Sequence, residues 1–374
     1  MRNSRQAWSW IGLVVVVVAL AIDILYRRTR IGIDFHTYYA AAVVGVRQGW
    51  PHIYDQALVA DAQKKLVPSL WSQPFLSPPT VAWLVAPLTV LPIWIAFGVW
   101  AVFTFAAFTA ALAWSGASTG ISRWIAVVAA LAPWWVLHAV TLGQVVPLVA
   151  AGVVVGWGFL RREKDIAAGI ALSLIFLKPN TAILVPLALA VAGRYRAFAS
   201  WLAMGAVFAL VAVLLLGTHG ISAYVNELRA PLPRGADALT LHGALGVSGV
   251  VALALRILIV GAVLAIAFKL RPSSTTVIPV AVVGSLLISP YLHASDLCLL
   301  AAAAWIVWEE RPEVTWRAAL GGCWILASPY LWFTMHSPGL DRWPWFELTL
   351  LVALGLLAWR PLTGTADLRT RAPA

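Results

Sequence analysis

Chemistry-bearing residues crowd one stretch of this chain, Asp34-Phe35-His36-Thr37-Tyr38-Tyr39. A carboxylate, an imidazole and two phenols so close together can accept a proton, orient an attacking hydroxyl and bind sugar-like oxygens. Spacing alone leaves Asp34 two readings: a general base, or a loop aspartate capping the helix suggested by Tyr38 to Val44. Its company favours chemistry. Gly49-Trp50-Pro51-His52-Ile53-Tyr54-Asp55 follows, then Trp71, Pro74, Phe75 and Ser77-Pro78-Pro79. Aromatic rings beside one carboxylate suit a sugar, because rings stack on pyranose faces while the carboxylate takes a hydroxyl proton. His36, Tyr38, Tyr39 and Tyr54 are therefore expected to contact substrate.

Two later segments carry further candidates. Lys178, in Phe176-Leu177-Lys178-Pro179-Asn180, sits between short apolar segments, where an unpaired ammonium costs about a few kcal/mol. Either it snorkels to an interface, or Pro179 breaks the helix and aims it into a cavity toward an anion such as a lipid phosphate. Ser289-Pro290-Tyr291-Leu292-His293-Ala294-Ser295-Asp296 places an imidazole and a carboxylate three residues apart, hence on one helical face. The bland alternative is a loop histidine with a capping aspartate. Gly143-Gln144 is a polar break between spans, and Arg256 falls within one, as a snorkelling side chain or a second phosphate contact. Gln144, Asn180, Tyr291 and Asp296 complete the expected substrate contacts.

The elements that must position these groups are membrane helices. The chain has 374 residues, 61% hydrophobic and 11% charged, with mean hydropathy +0.87. Ordinary soluble domains carry about 25% charged residues. The class is all-α, a polytopic transmembrane bundle forming a single domain over 1–374. A net charge of +11 does not signal nucleic acid, because the basic residues are scattered at span ends. Cys298 and Cys323 lie in apolar runs with no Cys/His cluster at metal spacing, so they read as small core residues.

Spans are expected at roughly 8–26, 93–114, 122–140, 144–160, 166–178, 180–193, 198–217, 250–270, 275–290, 294–308, 318–335 and 346–360. Several fall short of the ~20 residues of a straight crossing, so some helices should stop against polar backbone that lines a cavity. Residues 79–91 are expected to be re-entrant or interfacial, since a full crossing would put Arg161-Arg162-Glu163-Lys164 outside. The assigned cytoplasmic turns are then basic (Arg123, Arg161, Arg162, Lys164, Arg194, Arg196, Lys269, Arg271), as the positive-inside rule requires. Both termini fall in the cytoplasm, with the N-terminal hydrophobic run an uncleaved first helix. The long connections 27–78, 218–249 and 336–345 face outward, and with them the site. Arg27, Arg28 and Arg30 defy the rule and are assigned to lipid head groups. His219, Asp237 and His242 receive no reading.

The ordered set of landmarks resembles glycosyltransferase family 87, a polyprenyl-phosphate-sugar-dependent family of the GT-C superfamily. The matching pieces run over about residues 30–300: Asp34-Phe35 with Tyr38-Tyr39, Gly49 to Tyr54-Asp55, Ser77-Pro78-Pro79, Pro87-Leu88 to Leu91-Pro92, Gly143-Gln144, Lys178-Pro179, and Ser289-Pro290-Tyr291 to Asp296. Relatives include mycobacterial mannosyltransferases that extend phosphatidylinositol mannosides. The resemblance implies transfer of a hexose, mannose first, from a polyprenyl-phosphate donor to a membrane glycolipid or glycan acceptor. The reaction would invert at the anomeric carbon, on the outer face of the cytoplasmic membrane. It maps the general base onto Asp34 and an assisting histidine onto His293. From the residues themselves, Lys178 and, as a second contact, Arg256 are expected to hold the donor phosphate. The first loop lacks the paired acids of many GT-C enzymes, so no metal or other cofactor is expected. The pattern around His293 departs from the mycobacterial enzymes. Rival readings are an arabinofuranosyl, glucosyl or galactosyl transferase of the same fold, a lipid-linked-sugar flippase, and a non-catalytic lipid-binding scaffold.

Overall fold

The computed structural model describes residues 31–117, 119–230, 239–271, 275–310, 320–322, 324 and 345–359. The expected span 8–26, nearly all of 318–335, Arg27, Arg28, Arg30, Cys323 and Asp237 lie outside them. Among the described residues the fold is all-helical.

The chain enters on α1 (Ile33–Gln48), turns through a 3-10 segment (Trp50–His52) and forms α2 (Gln56–Leu66) and α3 (Pro79–Val85). A 3-10 segment (Ala86–Val90) continues α3, and together they are shorter than a straight bilayer crossing. Next come α4 (Ile93–Ser115), α5 (Gly120–Leu131) and α6 (Trp134–Leu142). The last two meet at 71°, where Pro133 cannot continue a hydrogen-bonded helix. Then follow α7 (Val146–Leu160), α8 (Asp165–Leu172), α9 (Leu184–Val191) and α10 (Tyr195–Arg229). The described chain closes with α11 (Leu241–Ala244), α12 (Gly249–Lys269), α13 (Val277–Ile288), α14 (Cys298–Glu310) and α15 (Trp345–Trp359).

Among the described residues, three helices are long and apolar enough to span a membrane: α4, α10 and α12. They form the outer surface, with Val102, Leu210, Leu214, Val250 and Leu258 more than half exposed. An apolar exterior of that kind needs lipid. The shorter α7 and α13 are buried along nearly their whole length and make the centre. Within α7 the run Gly152-Val153-Val154-Val155-Gly156 brings α8 unusually close. A Cβ at Gly152 would stand 2.7 Å from the Ala171 carbonyl oxygen.

Two sequence expectations change. The span ending at 217 does so only as a kink: Gly217 takes φ 59°, open to glycine, and helix resumes to Arg229, so much of the expected 218–249 loop is an outer helical arm. Asp34 does not cap α1. Helix begins one residue earlier, at Ile33 after a left-handed Gly32, leaving Asp34 in the first turn with its carboxylate directed elsewhere.

Candidate functional site

Three helix interruptions converge to build the site. At the first, α6 ends on Gly143 at φ 75°, a left-handed position that closes the helix and lets the Gln144 N–H bond back to the Ala139 carbonyl at 2.8 Å. Glycine is required here twice over, since a Cβ would stand 2.5 Å from the Cβ of Phe35. The start of α1 is sewn to the same place by Gly32 N–H to Thr141 O, 2.8 Å, while Trp100 Nε1 donates to Gly143 O at 2.8 Å. Gln144 is thereby held against Asp34.

The second interruption is Lys178. The helix after α8 tightens into a 3-10 segment (Ser173–Leu177) and stops because Pro179 disfavours helical backbone at Lys178, which takes φ −154° and ψ 76°. Its ammonium therefore leaves the helix direction and enters the cluster, 8% exposed. At the third, Ser289-Pro290 ends α13, and a 3-10 turn (Ala294–Leu297) leads into α14. The Asp296 carboxylate reaches back to accept from the His293 N–H at 3.0 Å, a capping-box arrangement.

These three breaks and the first turn of α1 produce one continuous polar chain. Gln144 Nε2 donates to Asp34 Oδ2 at 2.7 Å. Gln144 Oε1 accepts from the Tyr38 hydroxyl and from Lys178 Nζ, each at 3.1 Å. Lys178 Nζ pairs with Asp296 Oδ1 at 2.5 Å, and Asp296, with its side chain fully buried, holds the His293 backbone. Asn180 donates to Ser289 Oγ at 3.1 Å and lies against the Tyr291 hydroxyl at 3.4 Å. With the Gln73 amide turned so that its nitrogen faces Asp34, it donates to Oδ1 at 3.2 Å and accepts from Trp71 Nε1 at 3.1 Å. Burial raises the Asp34 carboxyl above its ordinary value, against the opposing pull of Lys178, the Gln144 hydrogen bond, His293 and His138.

Of the residues singled out in the sequence, the structure brings together Asp34, Tyr38, Gln144, Lys178, Asn180, Tyr291, His293 and Asp296. The His293 ring, 55% exposed, stands 3.9 Å from the Asp296 carboxylate, beyond hydrogen-bond distance, and leans toward the Tyr291 ring. His36 is placed otherwise. It is 1% exposed and its Nε2 bonds to the Gln63 carbonyl at 2.9 Å, tying α1 to α2; burial lowers its pKa. Tyr39 donates to Leu91 O at 2.7 Å, fastening α1 to the 79–91 segment. Tyr54 donates to Ser77 O at 2.8 Å and stacks between Phe75 and Tyr224. Arg256 donates to the His242 ring at 3.2 Å, a residue outside the Asp34 chain.

Gln73 and Ser289 were not named as site residues from the sequence. Ser289 lay in the quoted Ser-Pro-Tyr run, and Gln73 stood between Trp71 and Pro74 with no pattern to mark it. The partner of Lys178 was also missed: the sequence pairs Asp296 with His293, three residues away, and nothing in it shows that helix breaks at 178 and 289 meet.

The model of glycosyltransferase family 87 matches residues 75–329. That range holds Gln144, Lys178, Asn180, Tyr291, His293 and Asp296, and begins beyond Asp34, which enters on geometry alone. No curated protein and no solved structure matches the chain. With more than half of its length matched and its helices apolar enough to span a membrane, the chain belongs to glycosyltransferase family 87.

Proposed function

We propose that this membrane glycosyltransferase moves a hexose, mannose first among candidates, from a polyprenyl-phosphate donor to a membrane glycolipid or glycan acceptor on the extracytoplasmic face, with Asp34 as general base. The observation that carries this reading is the unbroken Asp34–Gln144–Lys178–Asp296 chain. It sets a carboxylate that can take a proton close to a buried cation that can stabilise a leaving phosphate, which are the two charges an inverting transfer needs.

In the proposed step, Asp34 removes the acceptor hydroxyl proton as that oxygen attacks the anomeric carbon. The bond from that carbon to the phosphate oxygen breaks, and polyprenyl phosphate leaves with the electron pair. Lys178 donates one hydrogen bond to Gln144 and is ion-paired with Asp296, and an ammonium with three N–H groups retains donor capacity for a phosphate oxygen. Fixed in a low-dielectric site, that cation acts more strongly than it would in water. Gln144 holds Asp34 and Lys178 at a set separation, and Tyr38 fixes the Gln144 amide. His293, half-exposed beside Tyr291, is assigned to the acceptor side. Arg256 remains a second phosphate contact only if the donor reaches the His242 side of α12.

The test uses purified protein in nanodiscs, a panel of polyprenyl-phosphate sugars and a membrane glycolipid extract, with products read by mass spectrometry. One donor should yield a sugar-extended product and free polyprenyl phosphate. Asp34→Asn should lower turnover by about 10²–10⁴-fold, the range of a lost general base. Near-normal turnover in Asp34→Asn would end the base assignment.

A further inference from the structure

Away from the Asp34 chain, a second cluster joins two segments far apart in sequence. His52 and Asp55 lie at the turn between the Trp50–His52 segment and α2, and His219 lies on α10 just past its Gly217 kink. His52 Nδ1 stands 2.7 Å from Asp55 Oδ2, and His219 Nε2 stands 3.1 Å from Asp55 Oδ1. One ligand atom from each residue falls within 4.8 Å of the others. The local backbone is shaped for this meeting. Gly220 lies so close to the first segment that a Cβ there would be 2.9 Å from the Pro51 carbonyl oxygen and 3.1 Å from its Cα. The left-handed Gly217 turns the outer arm of α10 toward it.

We propose that His52, Asp55 and His219 form a site for a zinc-class divalent ion that clasps the outer arm of α10 to the first outward loop. Two imidazole nitrogens and one carboxylate oxygen are a three-ligand set this class of ion accepts, with water at the fourth position. Ligand atoms around such an ion stand about 3.2–3.6 Å apart at metal–ligand distances of about 2.0–2.2 Å. From Asp55 Oδ2, His219 Nε2 at 3.3 Å already has that spacing, while His52 Nδ1 at 2.7 Å is at hydrogen-bond distance and must move outward by about 0.5 Å. Drawing the two rings together takes only side-chain rotation, since the His52 and His219 side chains are 41% and 58% exposed.

The clasp bears on the site through the next turn of the same arm. Tyr224 stacks on Tyr54 at 4.5 Å between ring centres, and Tyr54 is bonded to Ser77 at the base of the loop. An ion here orders that aromatic wall without touching the reacting groups.

The test takes the full chain in nanodiscs, purified without a histidine tag and stripped with a chelator. Zn²⁺ is titrated in competition with a chromophoric chelator, and Co²⁺ absorption reports ligand geometry. One equivalent of Zn²⁺ should bind wild type and Asp34→Asn alike, raise the apparent Tm, and bind at least tenfold more weakly in His52→Ala and in His219→Ala. His52 is partly exposed and His219 largely so, so the stripped variants should melt within a few degrees of stripped wild type. Co²⁺ on wild type, which needs no variant, should give the visible bands of low-coordinate nitrogen and oxygen ligation. Absence of stoichiometric Zn²⁺, binding unaltered in either histidine variant, or Co²⁺ bands of a fully hydrated ion overturns the proposal.

Discussion

Two carboxylate–cation pairs sit at opposite ends of the same central helices. Lys178–Asp296 lies at the Gln144 end of α7, with side chains 10% and 0% exposed. Arg194–Asp165 lies beyond the other end of α7, a fifteen-residue helix about 22 Å long, with side chains 26% and 17% exposed at 3.1 Å. The wetter pair is simple: Asp165 sits in the first turn of α8, where a carboxylate suits the helix dipole, and Arg194 ties that turn to the start of α10. The buried pair is tied into a chain with Gln144, Asp34 and Tyr38. Burying a pair of ions costs as much as their attraction returns, so stability does not explain it. In the proposed transfer a cation held dry has a task, which is to meet the charge on the leaving phosphate.

The comparison breaks most sharply at Lys178. Lys178→Met leaves Asp296 buried without its partner, which should cost on the order of 3–5 kcal/mol in stability. It should also lower turnover by at least about 10²–10³-fold, as for a lost transition-state cation. Those effects are separable. In Lys178→Met/Asp296→Leu the lone charge is gone, and thermal unfolding should return toward wild type while turnover stays lost. A double variant that regains activity would make the pair structural, like its counterpart at Asp165.

Next in size is the hinge that holds Gln144. Gly143→Ala must relieve both a left-handed φ and a 2.5 Å approach to Phe35. The strain should cost about 1–3 kcal/mol, and displacing Gln144 by about 1 Å can cost 10²-fold in rate. A wild-type kcat in this variant would show that Gln144 does not set the site geometry. The pH dependence comes next. Burial raises the Asp34 carboxyl, and a base works only when deprotonated, so turnover should fall as pH drops through a value above the ordinary carboxylate value of 3.8. The linked stability has the opposite sense. A raised folded-state pKa means the protonated form is favoured by folding, so the stabilisation present at low pH is lost as pH rises through that pKa. Asp34→Asn should therefore unfold at or above the wild-type Tm at neutral pH, and a clear fall in Tm would show that the charge stabilises the fold.

Why the cluster was only half legible follows from the same residues. Helix breaks are local events with local signals: Pro179 after Lys178, Gly143 before Gln144, and Pro290 after Ser289 can each be read from the sequence. Apolar runs likewise mark α4, α10 and α12, the helices among the described residues long enough to cross, because lipid forces the backbone to satisfy itself within each helix. Which breaks meet depends on packing between helices, and no local pattern carries that. So Asp296 was read with its sequence neighbour His293 when its ion partner is Lys178, more than a hundred residues earlier. His36 and Tyr39 were grouped with Asp34 by proximity, yet a helix points side chains two and five positions on to other faces, here toward Gln63 and Leu91. The extension of α10 beyond Gly217 was hidden because 218–249 was assigned whole to an outward loop in which His219 had no reading, and the His219–Asp55 contact was hidden with it.

The smallest effect belongs to the far pair, and it fixes the scale for the others. Arg194→Ala removes a cation from Asp165, which is partly solvated and already favoured by its place in the first turn of α8. An ion pair of that kind contributes about 0–1 kcal/mol, most of it screened by salt. The variant should therefore shift Tm by no more than a few degrees, less at high ionic strength, and leave kcat unchanged, because nothing in the Asp34 chain passes through it. If instead Arg194→Ala lowers turnover as Lys178→Met does, the two ends of α7 are coupled through the Gly152–Gly156 contact with α8, and exposure is not what separates a structural pair from a catalytic one.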